Sequence, residues 1–353
     1  SSRVGRCARL SLAGTFSVPS SDAACTELAL FGGEGHRFRA LGANLRWRGR
    51  RSWLWFHQDP GEHENHEPDD DEVDQRAEKG AQTVSVLVVG SVAFDTIRTP
   101  FGLATEVLGG SANYFSIAAS FFADVRLVAV VGEDFPDPHL EFLRSRGVDL
   151  RGLQRVSGKT FRWVGEYGFD FNEAKTLDTQ LNVFADFAPT IPEDYKDSEV
   201  VFLANIDPAL QRDVLRQVRR PALVAADTMN YWIARKRESL GDTLKRVDLL
   251  IINDAETRQL ANEPNLVRAA RTIQSWGPRI LIIKRGEYGA LLCAEGEWFS
   301  AAALPLESVQ DPTGAGDCFA GGAVGYLAKQ RRFDAGSLRQ AMIMVSVLAS
   351  FNG

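Results

Sequence analysis

From Val84 onward the chain alternates between short, nearly unbroken apolar runs and longer stretches whose apolar residues recur at helical spacing. The first run, VSVLVVG at 84–90, is dominated by β-branched residues, as in a strand buried on both faces of a parallel sheet. RLVAVVG at 126–132 repeats the pattern, and further strands are predicted at 200–204, 222–226, 249–252 and 280–283. A helix is predicted at 111–123, opened by Gly109-Gly110 with Ser111 as a candidate cap. Asp137-Pro138 opens a second helix that runs to Arg146, and small residues make up a third at 318–329. The alternation predicts an α/β fold built on a doubly wound, mostly parallel sheet.

Two stretches break that alternation. Residues 95–108 and 160–187 are rich in β-formers, aromatics and glycine, with no helix between their strands. They predict a small β-sheet that stands off the main sheet and serves as a lid.

Residues 1–80 differ in character from everything after them. Residues 1–56 carry nine Arg, no Lys and three acids, a balance of +6, and residues 57–80 carry ten acids and two bases, a balance of −8. Neither part has sustained helix or strand periodicity, so a disordered or non-native extension is expected ahead of a domain at 84–353. The chain begins at Ser1 and its first methionine is Met229, which accords with upstream sequence joined to that domain. Two sharper readings stay open here. Arg46, Arg48, Arg50 and Arg51 alternate with Trp47, Trp53 and Trp55 in the manner of a nucleic-acid surface, and His57, His63 and His66 lie among carboxylates. Charge runs of this kind are usually solvated.

The remainder carries a charge of about −4, which favours neither nucleic acid nor membrane as a partner. Four scattered cysteines (Cys7, Cys25, Cys293 and Cys318) suit a reducing, cytoplasmic setting better than a disulfide framework or a zinc site. No apolar run reaches the length of a membrane span.

The chemistry concentrates at predicted strand ends, which border the ligand crevice of an open α/β sheet. Asp311-Pro312-Thr313-Gly314-Ala315-Gly316-Asp317 precedes the small-residue helix. Gly-Ala-Gly at a helix start leaves backbone N–H groups uncovered, which together with the helix dipole make an anion site. Asp317 would lie beside the anion, where a carboxylate is useful as a base for an attacking hydroxyl. Its bland alternative is a first-turn acid that only favours the dipole. Asn253 and Glu256 follow a predicted strand three residues apart, suited to a hydrated Mg²⁺ with phosphate oxygens or, equally, to a capping box. Lys284 opens Lys-Arg-Gly-Glu-Tyr-Gly, where Gly286 and Gly289 serve either a hairpin turn or close approach of a nucleotide. Asp95, Gly110 and Asn113 lie after the first strand and at the first helix start, positions from which a carboxylate and an amide can grip vicinal hydroxyls. Asp227 ends the strand at 222–226 and should also face the crevice, and Arg162 and Trp163 in the lid are candidates for substrate contact. Gly158-Lys159-Thr160 imitates a phosphate loop, but the first glycine, Gly152, is one residue too early. No buried strand is predicted before it and no clear helix after it.

Taken in order, Gly-Gly-x-x-Asn, Asn-x-x-Glu, Lys-x-Gly-x-x-Gly and Asp-x-Thr-Gly-Ala-Gly-Asp resemble the ribokinase-like (PfkB) family of carbohydrate and nucleoside kinases. The resemblance runs from about Val84 to the C-terminus, and Gly-Ala-Gly-Asp is its most specific part. It implies an ATP- and Mg²⁺-dependent kinase acting on a sugar or nucleoside. Asp317 is then the catalytic base, with Gly314, Ala315 and Gly316 as the anion hole. Asn253, Glu256, Lys284, Gly286 and Gly289 take the nucleotide and its phosphates, with Glu256 organising Mg²⁺ indirectly. Asp95, Gly110 and Asn113 take the sugar. Asp311 and Thr313 match positions that carry a monovalent cation such as K⁺ in some members. Pairing of two copies through the lid is a further implication. Family members usually continue for another short segment beyond the second helix after the motif, so a truncated C-terminus is expected.

Overall fold

A computed structural model describes residues 84–352 apart from 170, 172 and 173, together with three short strands between 38 and 57. The chain divides into two compact units, residues 1–62 and 63–353. In the first, β1 (Phe38–Ala40), β2 (Ala43–Leu45) and β3 (Phe56–His57) form an antiparallel sheet in that order, in a stretch whose residue pattern has no strand period. The rest of the expected extension, the Arg/Trp segment and the side chains of His57, His63 and His66 lie outside the described residues.

The second unit opens with β4 (Ser85–Val89), whose five residues are all buried. The chain then leaves the main sheet for β5 (Ala93–Thr99) and β6 (Gly102–Gly109) and returns through α1 (Ser111–Ala119) to β7 (Asp124–Gly132). Next come α2 (Asp137–Ser145), β8 (Val148–Val156), β9 (Phe161–Tyr167), β10 (Ala174–Gln180), β11 (Val200–Leu203) and α3 (Pro208–Gln217). β12 (Leu223–Ala226), α4 (Asn230–Arg235), α5 (Arg237–Leu244), β13 (Leu249–Asn253), α6 (Asp254–Ala261) and α7 (Leu266–Gln274) follow. The chain continues with β14 (Ile280–Lys284), β15 (Ala290–Ala294), β16 (Glu297–Ala301), α8 (Ala315–Gln330) and α9 (Ala335–Leu348).

The main sheet has nine strands in the order β16-β15-β14-β13-β12-β11-β4-β7-β8. From β14 to β8 every pairing is parallel; β15 and β16 add an antiparallel edge. The strand order reverses between β4 and β11, and the crevice at such a switch point is where open α/β sheets bind ligands. The uninterrupted apolar runs are explained by burial on both faces: Val86 to Val89 and Val200 to Leu203 are fully covered.

The expected lid is present as a separate four-stranded sheet, β10-β9-β5-β6, in which β5 and β9 pair in parallel and the outer pairs are antiparallel. The reading of Gly158-Lys159-Thr160 holds. A strand, β8, does precede Gly158-Lys159-Thr160, but it is a half-exposed edge strand with polar residues, so its pattern does not read as buried. The strand β9, not a helix, follows, so the phosphate-loop reading still fails.

The small residues of α8 let it lie against α1. A methyl group at Gly321 would come within 2.3 Å of the Phe115 carbonyl oxygen, and one at Gly325 within 2.9 Å of the Ala119 oxygen. Phe115 stacks on Phe202 of β11 at 3.9 Å between ring centres, which ties this helix pair to the sheet. The start of α8 is thereby fixed over the switch point. Among the described residues no helix is long and apolar enough to cross a membrane.

Candidate active site

Gly314 is the N-cap of α8, in the left-handed region at φ 79°, and no side chain caps the helix. The tight turn is needed because a methyl group at Gly314 would strike the ring of Tyr114 at 2.5 Å. Ala315 N–H donates to the Pro312 oxygen at 3.1 Å, and the first bond along the helix runs from Cys318 N–H to the Gly314 oxygen at 2.8 Å. The amides between them, of Gly316 and Asp317, are those that helix geometry leaves for a ligand. Ahead of the turn, Thr313 N–H donates to Asp311 Oδ1 at 2.9 Å.

Lys284, at the end of β14, reaches the same place. A methyl group at Gly316 would sit 2.8 Å from the Lys284 Nζ, so the ammonium lies directly against the backbone of the helix start. Its counter-ion is Asp227, just past β12, with Nζ 3.8 Å from Oδ2. Burial pushes the Asp317 carboxyl up to about 8; the charge of Asp227 adds to this, Lys284 opposes it, and Asp95 and Glu256 add again. A carboxyl held that high accepts a proton far more readily than an ordinary aspartate near neutral pH.

On the other wall, Asp95 projects from β5. A methyl group at Gly109 would collide with the Asp95 carboxylate, and Gly110, at φ 96°, packs against the Ser91 carbonyl where no side chain fits. The glycine pair therefore brings backbone and carboxylate together, and Gly110 N–H points to Asp95 Oδ2 at 3.4 Å. Burial pushes Asp95 up to about 7, the Gly110 N–H lowers it, and the charge of Asp311 raises it. Asn113, one turn into α1, is fully buried, and among the described residues neither atom of its amide has a partner. A buried amide left open on both sides is poised for a polar ligand.

Asn253 and Glu256 form the capping box that was the competing reading. Glu256 N–H donates to Asn253 Oδ1 at 2.7 Å, and Asn253 N–H donates to Glu256 Oε2 at 2.9 Å. The box holds Glu256 where its charge acts on both Lys284 and Asp317. Gly286 and Gly289 lie in the turn between β14 and β15 with positive φ. The need for glycine at Gly289 arises within the chain, because a methyl group there would meet the Ala301 oxygen at 2.0 Å.

Arg162 is not where it was expected. Successive strand residues face opposite sides; Arg162 pairs with Phe94, while Trp163 pairs with Asp95. Arg162 accordingly covers the Phe94 ring and binds Glu106 at 2.7 Å and Asp134 at 2.9 Å, fastening the lid from its far side. The residues that share the face of Asp95 are Trp163 and Tyr167. Tyr167 was missed in the sequence, although its alternation with Trp163 in FRWVGEY was a usable signal. Its hydroxyl lies 3.4 Å from Thr313 Oγ1. Burial pushes it up to about 12, and the charges of Asp311, Asp317 and Asp95 keep it protonated.

Among the described residues no group of three His, Cys, Asp or Glu side chains could hold a metal by itself.

A family model described as pfkB family carbohydrate kinase matches residues 85–352. A cytidine kinase from Thermococcus kodakarensis is 30% identical over 253 residues, which is 70% of this chain and 90% of that protein. A 2-dehydro-3-deoxygluconokinase from Thermoproteus tenax is 28% identical over 249 residues, 61% of this chain and 71% of that protein. The fold is similar to a putative ribokinase II from E. coli solved in complex with ATP and Mg²⁺, with a TM-score of 0.61 at 21% identity, covering 74% of this chain and 92% of that one.

Proposed function

Because the chain belongs to the pfkB family of carbohydrate kinases and is therefore a phosphotransferase, we propose that it transfers the γ-phosphoryl group of ATP to a hydroxyl of a sugar or sugar-like acceptor, with Asp317 as the base. The observation that carries this reading is the convergence of Asp317, the open amides of α8 and the Lys284 ammonium on one point of the crevice. Asp95, the Gly110 amide and Asn113 hold the acceptor hydroxyls. Asp317 takes the proton of the attacking hydroxyl as the new bond forms. The open amides of Gly316 and Asp317, presented by the Gly314-Ala315-Gly316 turn, and Lys284 hold the charge of the transferring group, which is where most of the catalysis of phosphoryl transfer lies. Asn253 and Glu256 orient the phosphates from the start of α6, and the hairpin turn with Gly286 and Gly289 borders the nucleotide. Mg²⁺ would supply charge neutralisation to the phosphates when bound, with Glu256 as the carboxylate that would help to hold it. Asp311 and Thr313 are proposed to take K⁺, and two copies are proposed to pair through the lid, whose strands β6 and β10 are unpaired edges.

A nucleoside acceptor is the second reading, and the lid favours it. The Trp163 ring lies against Gly165, where a methyl group would come within 2.0 Å of it, and its Nε1 donates to Thr176 Oγ1 at 3.1 Å. Held on the face of Asp95, such a ring offers a planar base a surface on which to stack. The test is ATP consumption by the full chain with Mg²⁺ and K⁺ across ribose, fructose, 2-keto-3-deoxygluconate, adenosine, inosine and cytidine. We expect turnover with at least one of them and, if cytidine or another nucleoside leads, a loss of about tenfold or more in kcat/KM for it in Trp163→Ala. A folded protein that binds ATP and phosphorylates no hydroxyl compound overturns the reading.

A further inference from the structure

Asp227 has no role in the mechanism above, yet it is among the most firmly fixed carboxylates of the molecule. Its backbone N–H donates to the Leu203 oxygen at 2.9 Å, and its carbonyl accepts from Gln211 Nε2 at 3.1 Å. Its Oδ1 accepts from Thr228 N–H at 2.7 Å. Those three bonds aim the remaining oxygen, Oδ2, at Lys284. The side chain is 7% exposed and that of Lys284 19%, so neither charge is well hydrated. The pair stands at 3.8 Å, and the ammonium also lies against Gly316, where a methyl group would come within 2.8 Å of it.

We propose that Asp227 is a positioning residue for the phosphoryl transfer: it holds the Lys284 ammonium charged and pressed against Gly316, with N–H donors left for the transferring phosphoryl group. An ammonium has three donors and the loose pair occupies at most one of them. Burial disfavours the charge of Lys284; the charges that face it, Asp227 first and then Glu256 and Asp317, outweigh that and keep it protonated. This inference rests on the kinase reading above.

The test is a double-mutant cycle in the full chain with Asp227→Asn, Lys284→Met and the pair together. In the wild-type background Asp227→Asn is expected to lower kcat by about 10²-fold while the acceptor KM changes by no more than about twofold. In the Lys284→Met background the same change is expected to cost about twofold or less, since a residue acting through Lys284 has nothing left to act on. A second readout needs no nucleotide. Labelling by an amine-selective acylating reagent, mapped by mass spectrometry, should modify Lys284 of Asp227→Asn at about pH 8 and spare it in the wild type, because the unpaired buried amine loses its proton more easily. If Asp227→Asn costs the same in both backgrounds, or leaves Lys284 unlabelled, the proposal is wrong. If the single variant fails to fold, the double variant replaces two buried charges together and the labelling comparison moves to Asp227→Glu, which should protect Lys284 as the wild type does. A wild-type chain without kinase activity would defeat the functional reading, whereas an active wild type with additive effects would defeat this inference alone.

Discussion

Asp317→Asn should bind ATP and acceptor as the wild type does and turn over roughly 10²–10⁴-fold more slowly. The amide keeps the shape of the side chain and loses its capacity to take a proton. The surroundings make that capacity unusual: burial and the neighbouring carboxylates Asp227, Asp95 and Glu256 hold Asp317 far above its ordinary range, against the pull of Lys284. A base whose own pKa is near the working pH is efficient, because it is ionised often enough and still binds a proton strongly. Calorimetric ATP affinity measured beside single-turnover rates checks the expectation; equal loss of both would mean that Asp317 serves binding instead.

Lys284→Met should damage both stability and rate. Lys284 is the cation among the charges acting on Asp317, and it faces Asp227 across 3.8 Å. Removing one partner of a buried pair leaves an uncompensated charge, typically at about 3–5 kcal/mol. For a chain of this size that corresponds to a melting temperature lower by about 10 °C. Loss of its charge from the phosphoryl site should add roughly 10²–10³-fold in kcat. The pH dependence has a definite sign. Without the lysine, Asp227 and Asp317 rise further above their unfolded values. Stability from groups raised in the folded state is fully present below the unfolded pKa and is lost as pH climbs through the folded one. The deficit of the variant should therefore be small near about pH 5 and grow towards about pH 8, measured as melting temperature across that range.

Much of this was legible in the residues. Strands buried on both faces announce themselves as unbroken apolar runs, and β4, β7 and β11 to β14 were readable for that reason. The helix start at Gly314 was readable because few sequences other than Gly-Ala-Gly-Asp would leave amides open beside an acid. β8 was not readable, since an edge strand with half-exposed polar residues has neither signature. That Arg162 turns away from Asp95 while Tyr167 shares its face was not readable for a different reason: the face of a lid strand depends on its register with β5, and register is a long-range property. The pairing of Asp227 with Lys284 joins the ends of β12 and β14, 57 positions apart in sequence, and no local pattern announces it. For Asn253 and Glu256 the structure shows the capping box, which sets Glu256 where its charge acts on Lys284 and Asp317; their role toward phosphates is part of the proposal.

The most direct measurement is kcat/KM against pH for the wild-type chain, using whichever acceptor the panel identifies. This quantity reports the ionisation of the free enzyme, and Asp317 must be ionised to accept the hydroxyl proton. We expect the rate to rise with pH through a limb far above the ordinary aspartate range, approaching about 8, as an apparent value shared by the coupled group of Asp317, Asp227 and Lys284. The same limb should be absent from the residual activity of Asp317→Asn. A profile that is flat from about pH 5 to 9, or one whose limb survives in the variant, would contradict Asp317 as the base.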